Sequence, residues 1–226
     1  MILLTARCRQ SGSQDTNQLL MKKYWILIIL FFSGLTISAI KPHDYFTWAL
    51  EVFPAIIGFF ILLFTFKKFT FSYLTYVLIL VHCYVLFVGG HYTYAEVPLF
   101  NWIQDVFHQS RNNYDKVGHF TQGFVPAIIA REIFVRFKIV KSGTWLSFVT
   151  ICTCITISVL YEFLEGLVAI LSGQSADSFL GTQGYIWDTQ SDMLYAAIGA
   201  VCMVTCMSKV QDTQITRILS EGKRSA

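Results

Sequence analysis

Residues 144–171 read TWLSFVTICTCITISVLYEFLEGLVAIL, an unbroken apolar stretch with no Lys or Arg and only two acidic residues, Glu162 and Glu165. A helix of about 20 apolar residues crosses a hydrocarbon core of about 30 Å. In lipid, each backbone amide and carbonyl must be satisfied within its own segment. The stretch therefore predicts a membrane-spanning helix. Five further stretches predict the same: Tyr24–Ile40, Phe46–Phe66, Phe69–Val88, Val117–Val135 and Met193–Met207, the last starting near Asp188. The expected fold class is all-α, a polytopic membrane helix bundle of about six transmembrane helices.

Composition agrees. The chain is 54% hydrophobic and only 14% charged, with a mean hydropathy of +0.54, whereas soluble domains carry about 25% charge. The net charge of +3 is spread over short loops without a contiguous basic patch. That excludes nucleic-acid binding and leaves membrane lipids as the expected partners. The six cysteines form no CxxC pair, and all but Cys8 fall in apolar segments, where Cys packs as a small hydrophobe. A disulfide framework or zinc ribbon is not expected. Residues 1–20 are polar and precede Met21-Lys22-Lys23, so they read as a disordered leader or a start-site extension. Residues 21–208 form the expected membrane domain, and residues 209–226 a cytoplasmic tail.

Basic residues set the expected orientation. Lys22, Lys23, Lys67, Lys68, Arg131, Arg136, Lys138, Lys141, Lys209, Arg217, Lys223 and Arg224 fall on one side, and only Lys41, Arg111 and Lys116 on the other. Both termini are then cytoplasmic, and the loops near 41–45, 89–116 and 172–189 face outward. Within the longest outward loop, Leu99, Trp102, Ile103, Val106 and Phe107 recur at helical spacing, which predicts an interfacial helix over Val97–Phe107.

Charge inside a span is costly and calls for an explanation. Asp115, Lys116 and His119 open the fourth span, Glu162 and Glu165 lie in the outer half of the fifth, and Asp188 and Asp192 open the sixth. The inner halves of the spans read as nearly free of ionisable groups. Asp115 and His119 are four residues apart, as are Asp188 and Asp192, so each pair shares a helix face. Three polar faces can thus converge in one outward-opening cavity. Glu162, Glu165 and His119 are the candidates for acid–base or catalytic work, and Asp115, Lys116, Asp188 and Asp192 for binding. Carboxylates beside a histidine also suit a divalent metal, although the sequence names no ion. Simpler roles compete: helix-dipole pairing for Asp115 and Asp188, snorkelling for Lys116, local pairing for Glu51 and His82. Glu162 and Glu165 lie deepest and resist them. The glycines of the last outward loop, Gly173, Gly181 and Gly184, suit either a lid or a plain connector. Ala196, Gly199 and Ala200 would permit close helix packing.

The runs Asp115-Lys116-Val117-Gly118-His119-Phe120, Tyr161-Glu162-Phe163-Leu164-Glu165 and Trp187-Asp188-Thr189-Gln190-Ser191-Asp192-Met193 resemble the uncharacterised bacterial inner-membrane family typified by YjdF. More distantly, Asp-Lys-x-x-His-Phe with the later Asp-x-x-x-Asp resembles VanZ-like membrane proteins. The resemblance runs from about Met21 to the sixth span and implies a multi-pass protein of the bacterial inner membrane. It implies no reaction. No Walker loop, GxSxG, HExxH or nucleotide fingerprint is present. The preferred reading is non-enzymatic: transport, ion or proton handling, or binding at a periplasmic-side carboxylate/His site. The alternative is a small membrane-embedded, metal-dependent hydrolase or lipid-modifying enzyme. The chain is small for a transporter and shows no repeat, an objection that a homo-oligomer would remove.

Overall fold

The structure, a computed structural model, describes residues 21–172 and 187–225. The leader 1–20 with Cys8 and the glycine-bearing segment 173–186 lie outside the described residues. The described residues form eight helices: α1 (Met21–Ser38), α2 (Tyr45–Thr65), α3 (Tyr73–Tyr92), α4 (Pro98–Val106), α5 (Tyr114–Arg136), α6 (Thr144–Ser172), α7 (Asp188–Cys206) and α8 (Ser208–Ser225). The described part is all-α, as expected.

The six apolar stretches correspond to α1, α2, α3, α5, α6 and α7. Four of these, α1, α2, α3 and α6, are long and apolar enough to cross a membrane by length and composition. α7 meets that standard together with α8, from which it is bent by 62°. α5 is long enough at 23 residues, about 34 Å at 1.5 Å per residue. It fails on composition, because it carries Asp115, Lys116, Arg131, Glu132 and Arg136. Its position explains how it tolerates them. α5 packs against α3, α6, α7 and α8, so its charges meet partners instead of lipid.

Two apolar clusters hold the helices together. Phe31 of α1, Val52 and Ala55 of α2, and Cys83, Leu86 and Phe87 of α3 form one. Ala127 and Ile128 of α5, Cys154 of α6, and Ala200 and Met203 of α7 form the other. Outward faces are apolar, with Trp25, Ile37, Phe64, Trp145, Phe163 and Ile170 all exposed. Large exposed hydrophobics on long helices are the surface that lipid solvates.

α5 and α7 approach most closely through glycine. A Cβ on Gly123 would overlap the Ala196 carbonyl, and one on Gly199 would overlap the Phe120 carbonyl. Small residues at such a crossing bring the two backbones together, as the Ala196/Gly199/Ala200 cluster predicts. This contact sets the register between His119 and Asp192. α4 forms where the apolar spacing predicts it and keeps Leu99, Trp102 and Val106 exposed.

One expectation is corrected. The C-terminal half of α5, expected to face inward, is not free of ionisable groups: Glu132 is fully buried and Arg131 nearly so. Glu132 accepts from the Ser72 backbone N–H at 2.8 Å, Ser72 Oγ at 2.9 Å, Thr75 Oγ1 at 2.7 Å and Arg136 Nη1 at 3.1 Å. It thereby caps the start of α3, where free amides and the helix dipole favour an anion. Arg131 pairs with Asp212 at 2.7 Å and donates to Gln211, fastening α8 to α5.

Candidate functional site

The opposite end of α5 carries the predicted constellation. The segment before it is tied down by Asn112, whose Oδ1 accepts from the Tyr114 N–H at 3.0 Å and whose Nδ2 donates to Val97 O and Asn101 Oδ1. Asn112 thus takes up the first amide of α5 from just ahead of its N-cap, Asn113, and fixes the helix start to α4. Asp115 turns back to accept from the Lys116 N–H at 2.8 Å, a helix-start role that the sequence allowed for.

Lys116 does not snorkel. It is buried, and its Nζ lies 3.4 Å from Asp115, 2.8 Å from Asp188 and 2.6 Å from Asp192. Arg111 completes this knot, donating to Asp188 Oδ2 at 2.8 Å and pairing with Asp115. Burial works against the Arg111 charge, but the carboxylates of Asp188 and Asp115 prevail and hold its pKa above the ordinary arginine value. Three carboxylates from α5 and α7 therefore surround two cations. The Asp115, Asp188 and Asp192 oxygens also lie within 4.8 Å of one another, a spacing a metal could use. The Lys116 ammonium already fills that place.

The second grouping is different. His119 of α5, Glu162 of α6 and Asp192 of α7 each offer a donor atom within 4.8 Å of the others, and all three are buried. His119 Nδ1 lies 3.8 Å from Glu162 Oε1, and His119 Nε2 lies 3.7 Å from Asp192 Oδ2. His119 Nδ1 and Glu162 Oε1 are buried without a hydrogen-bond partner. An unpaired buried polar atom costs about 1–3 kcal/mol, so the fold carries this pair at a cost.

Six of the seven predicted site residues are thus joined by direct contacts. Glu165 stands apart. It is an electrostatic neighbour of Glu162 and Glu51, but it is not in either donor cluster. Glu51 is buried beside Tyr94, and His82 Nδ1 meets Thr121 Oγ1 at 3.0 Å, so both serve as local partners. Sequence reasoning missed Arg111 as a site residue and Asn112 altogether. The polar run Arg111-Asn112-Asn113 just ahead of an amphipathic helix start is the signal that could have found them. An open cavity of about 790 Å³ adjoins the knot, with Arg111, Lys116, Phe120 and Tyr195 in its lining.

Fold and site together define a multi-pass helical membrane protein with a buried His/carboxylate cluster near one end of the bundle. The family described as "Predicted membrane protein (DUF2238)" matches residues 23–213, and the chain belongs to that family. It is 44% identical over 192 residues to "Inner membrane protein YjdF" of Escherichia coli (strain K12), covering 85% of this chain and 90% of that protein. No solved structure matches the chain.

Proposed function

We propose that this protein handles cations at the extracytoplasmic face of the membrane, loading protons or metal ions at His119, Glu162 and Asp192. The observation that carries the reading is the meeting of these three side chains from three helices, with an orphaned atom on each side of the His119–Glu162 gap. Buried ionisable groups in a membrane bundle mark ion and proton paths more often than structure alone requires. The Lys116–Arg111 knot holds Asp192 in place and neutralises its neighbours, so that Glu162 is the group left to exchange. Ala127, Ile128, Cys154, Ala200 and Met203 form an apolar plug beyond it, which fits access from one face at a time. The positive-inside asymmetry supports a reading in which that face lies outside and both termini lie in the cytoplasm.

The test is reconstitution into liposomes carrying an internal pH dye. An imposed pH or metal gradient should dissipate faster than in empty liposomes, and the rate should depend on external pH. Rates equal to those of empty liposomes under both gradients would remove the reading. The cavity beside Lys116 favours a second reading, hydrolysis of a headgroup-sized substrate, since its volume lies in the range of small-molecule sites. Release of phosphate or alcohol from envelope lipids by purified protein would establish it.

A further inference from the structure

We infer that His119, Glu162 and Asp192 form a binding site for one divalent transition-metal ion of the zinc class. The inference rests on the cation-handling reading and names the ion.

One imidazole with two carboxylates is a mixed N/O set, which suits zinc-class ions better than the all-oxygen shells of calcium or magnesium. Three protein ligands also leave a fourth, open position, the arrangement of exchangeable metal sites. The donor atoms lie within 4.8 Å of one another. Around a tetrahedral ion with bonds of about 2.1 Å, donors stand about 3.4 Å apart, so small side-chain rotations close the set. His119 Nδ1 and Glu162 Oε1, facing each other at 3.8 Å, are the two orphaned atoms. Both side chains are at least nine-tenths buried, and an ion held at Nδ1 would satisfy both orphaned atoms. Asp192 Oδ2, which stands 3.7 Å from the other ring nitrogen, completes the set by a rotation of its carboxylate or of the imidazole.

The surroundings orient the ligands. Asp192 Oδ1 is held by Lys116, which leaves Oδ2 turned toward His119. Gln122, one turn further along α5, is a polar neighbour of the His119 imidazole, and Thr189 of the Glu162 carboxyl. Polar groups around the ligands position rings and carboxylates in metal sites. Two carboxylates and a neutral imidazole carry a formal charge that a divalent ion cancels, which offsets the cost of burying them. The neighbouring Asp115/Asp188/Asp192 set lacks this opening, because Lys116 already stands there.

The experiment uses the full chain, purified in detergent and stripped with a chelator, then titrated with Co²⁺ alone. The expected result is one Co²⁺ per chain with visible absorption of low-coordinate Co²⁺, displaced by Zn²⁺. His119→Gln and Glu162→Gln should each weaken binding by about 100-fold, the upper end of what losing even an outer-shell partner costs. His82→Gln, a histidine engaged with Thr121 instead, should bind as the parent does. X-ray absorption on the Zn²⁺-loaded parent protein, which needs no variant to fold, should show one imidazole among oxygen neighbours. No Co²⁺ uptake by the parent, equal uptake by the His119 and Glu162 variants, or a sulfur-ligated ion would each overturn the inference. If Co²⁺ fails to bind while the liposomes still pass protons, the metal assignment alone falls. If neither occurs, the cation-handling reading falls with it.

Discussion

Asp192 Oδ2 stands 3.7 Å from His119 Nε2, while the other oxygen of the same carboxylate accepts from Lys116 Nζ at 2.6 Å. Asp192 is therefore shared between a charge-paired knot and an open cluster. The knot supplies rigidity and the cluster retains vacant bonding capacity. The two can be separated by substitution.

Lys116→Met removes the central cation and leaves Asp188 and Asp192 with one buried partner fewer. Breaking a buried pair in this way costs about 3–5 kcal/mol. The melting temperature in detergent should fall by on the order of 10 °C, and adding Asp192→Asn should recover part of the loss. A Lys116→Met protein as stable as the parent would mean that the knot contributes nothing.

The α5–α7 crossing gives a steric prediction. Gly123→Ala drives a methyl group into the Ala196 backbone and should destabilise by about 1–3 kcal/mol, the usual cost of overpacking. Gly58→Ala meets nothing within 4 Å and should be neutral or gain about 0.5–1 kcal/mol, as glycine-to-alanine does in an open helix position. Thermal unfolding of the two variants side by side decides it.

At the other end of α5, Glu132→Gln removes the charge that caps α3 and pairs with Arg136. The expected loss is again about 3–5 kcal/mol. His119 is about 20 Å away along the helix, so its ability to take up Co²⁺ should not change. Melting curves with and without Co²⁺ test both halves: stability falls, but the ion-induced shift remains.

Orientation is open to a direct test. A reporter fused after Arg217 should read as cytoplasmic, because the basic residues concentrate on that side. An external reading would reverse the topology and place the His119 cluster on the inner face.

Much of this was legible in the sequence because lipid is an unforgiving solvent. Long apolar runs have few alternatives to a helix, so all six expected spans appear as helices. The i,i+4 pairs Asp115/His119 and Asp188/Asp192 marked faces that do meet. What escaped was pairing across helices. Lys116 looked like a snorkelling cation because its three acceptors lie either beside it or more than seventy residues away. Glu132 was hidden between Arg131 and Arg136, which read together as the basic edge of a loop. Its real partners, Ser72 and Thr75, carry no charge to announce them. α8 was read as a plain tail because its run is polar, yet Gln211 and Ile215 are buried and anchor it to the bundle.

The most direct test of the central claim is Glu162→Gln in liposomes, with stability measured on the same preparation. Gln keeps the shape and hydrogen-bonding capacity of Glu but can neither titrate nor supply a carboxylate. The account predicts a protein that inserts and melts like the parent but no longer dissipates a proton or metal gradient. A Glu162→Gln protein that is equally stable and retains the full gradient-dependent flux would contradict the role assigned to this residue.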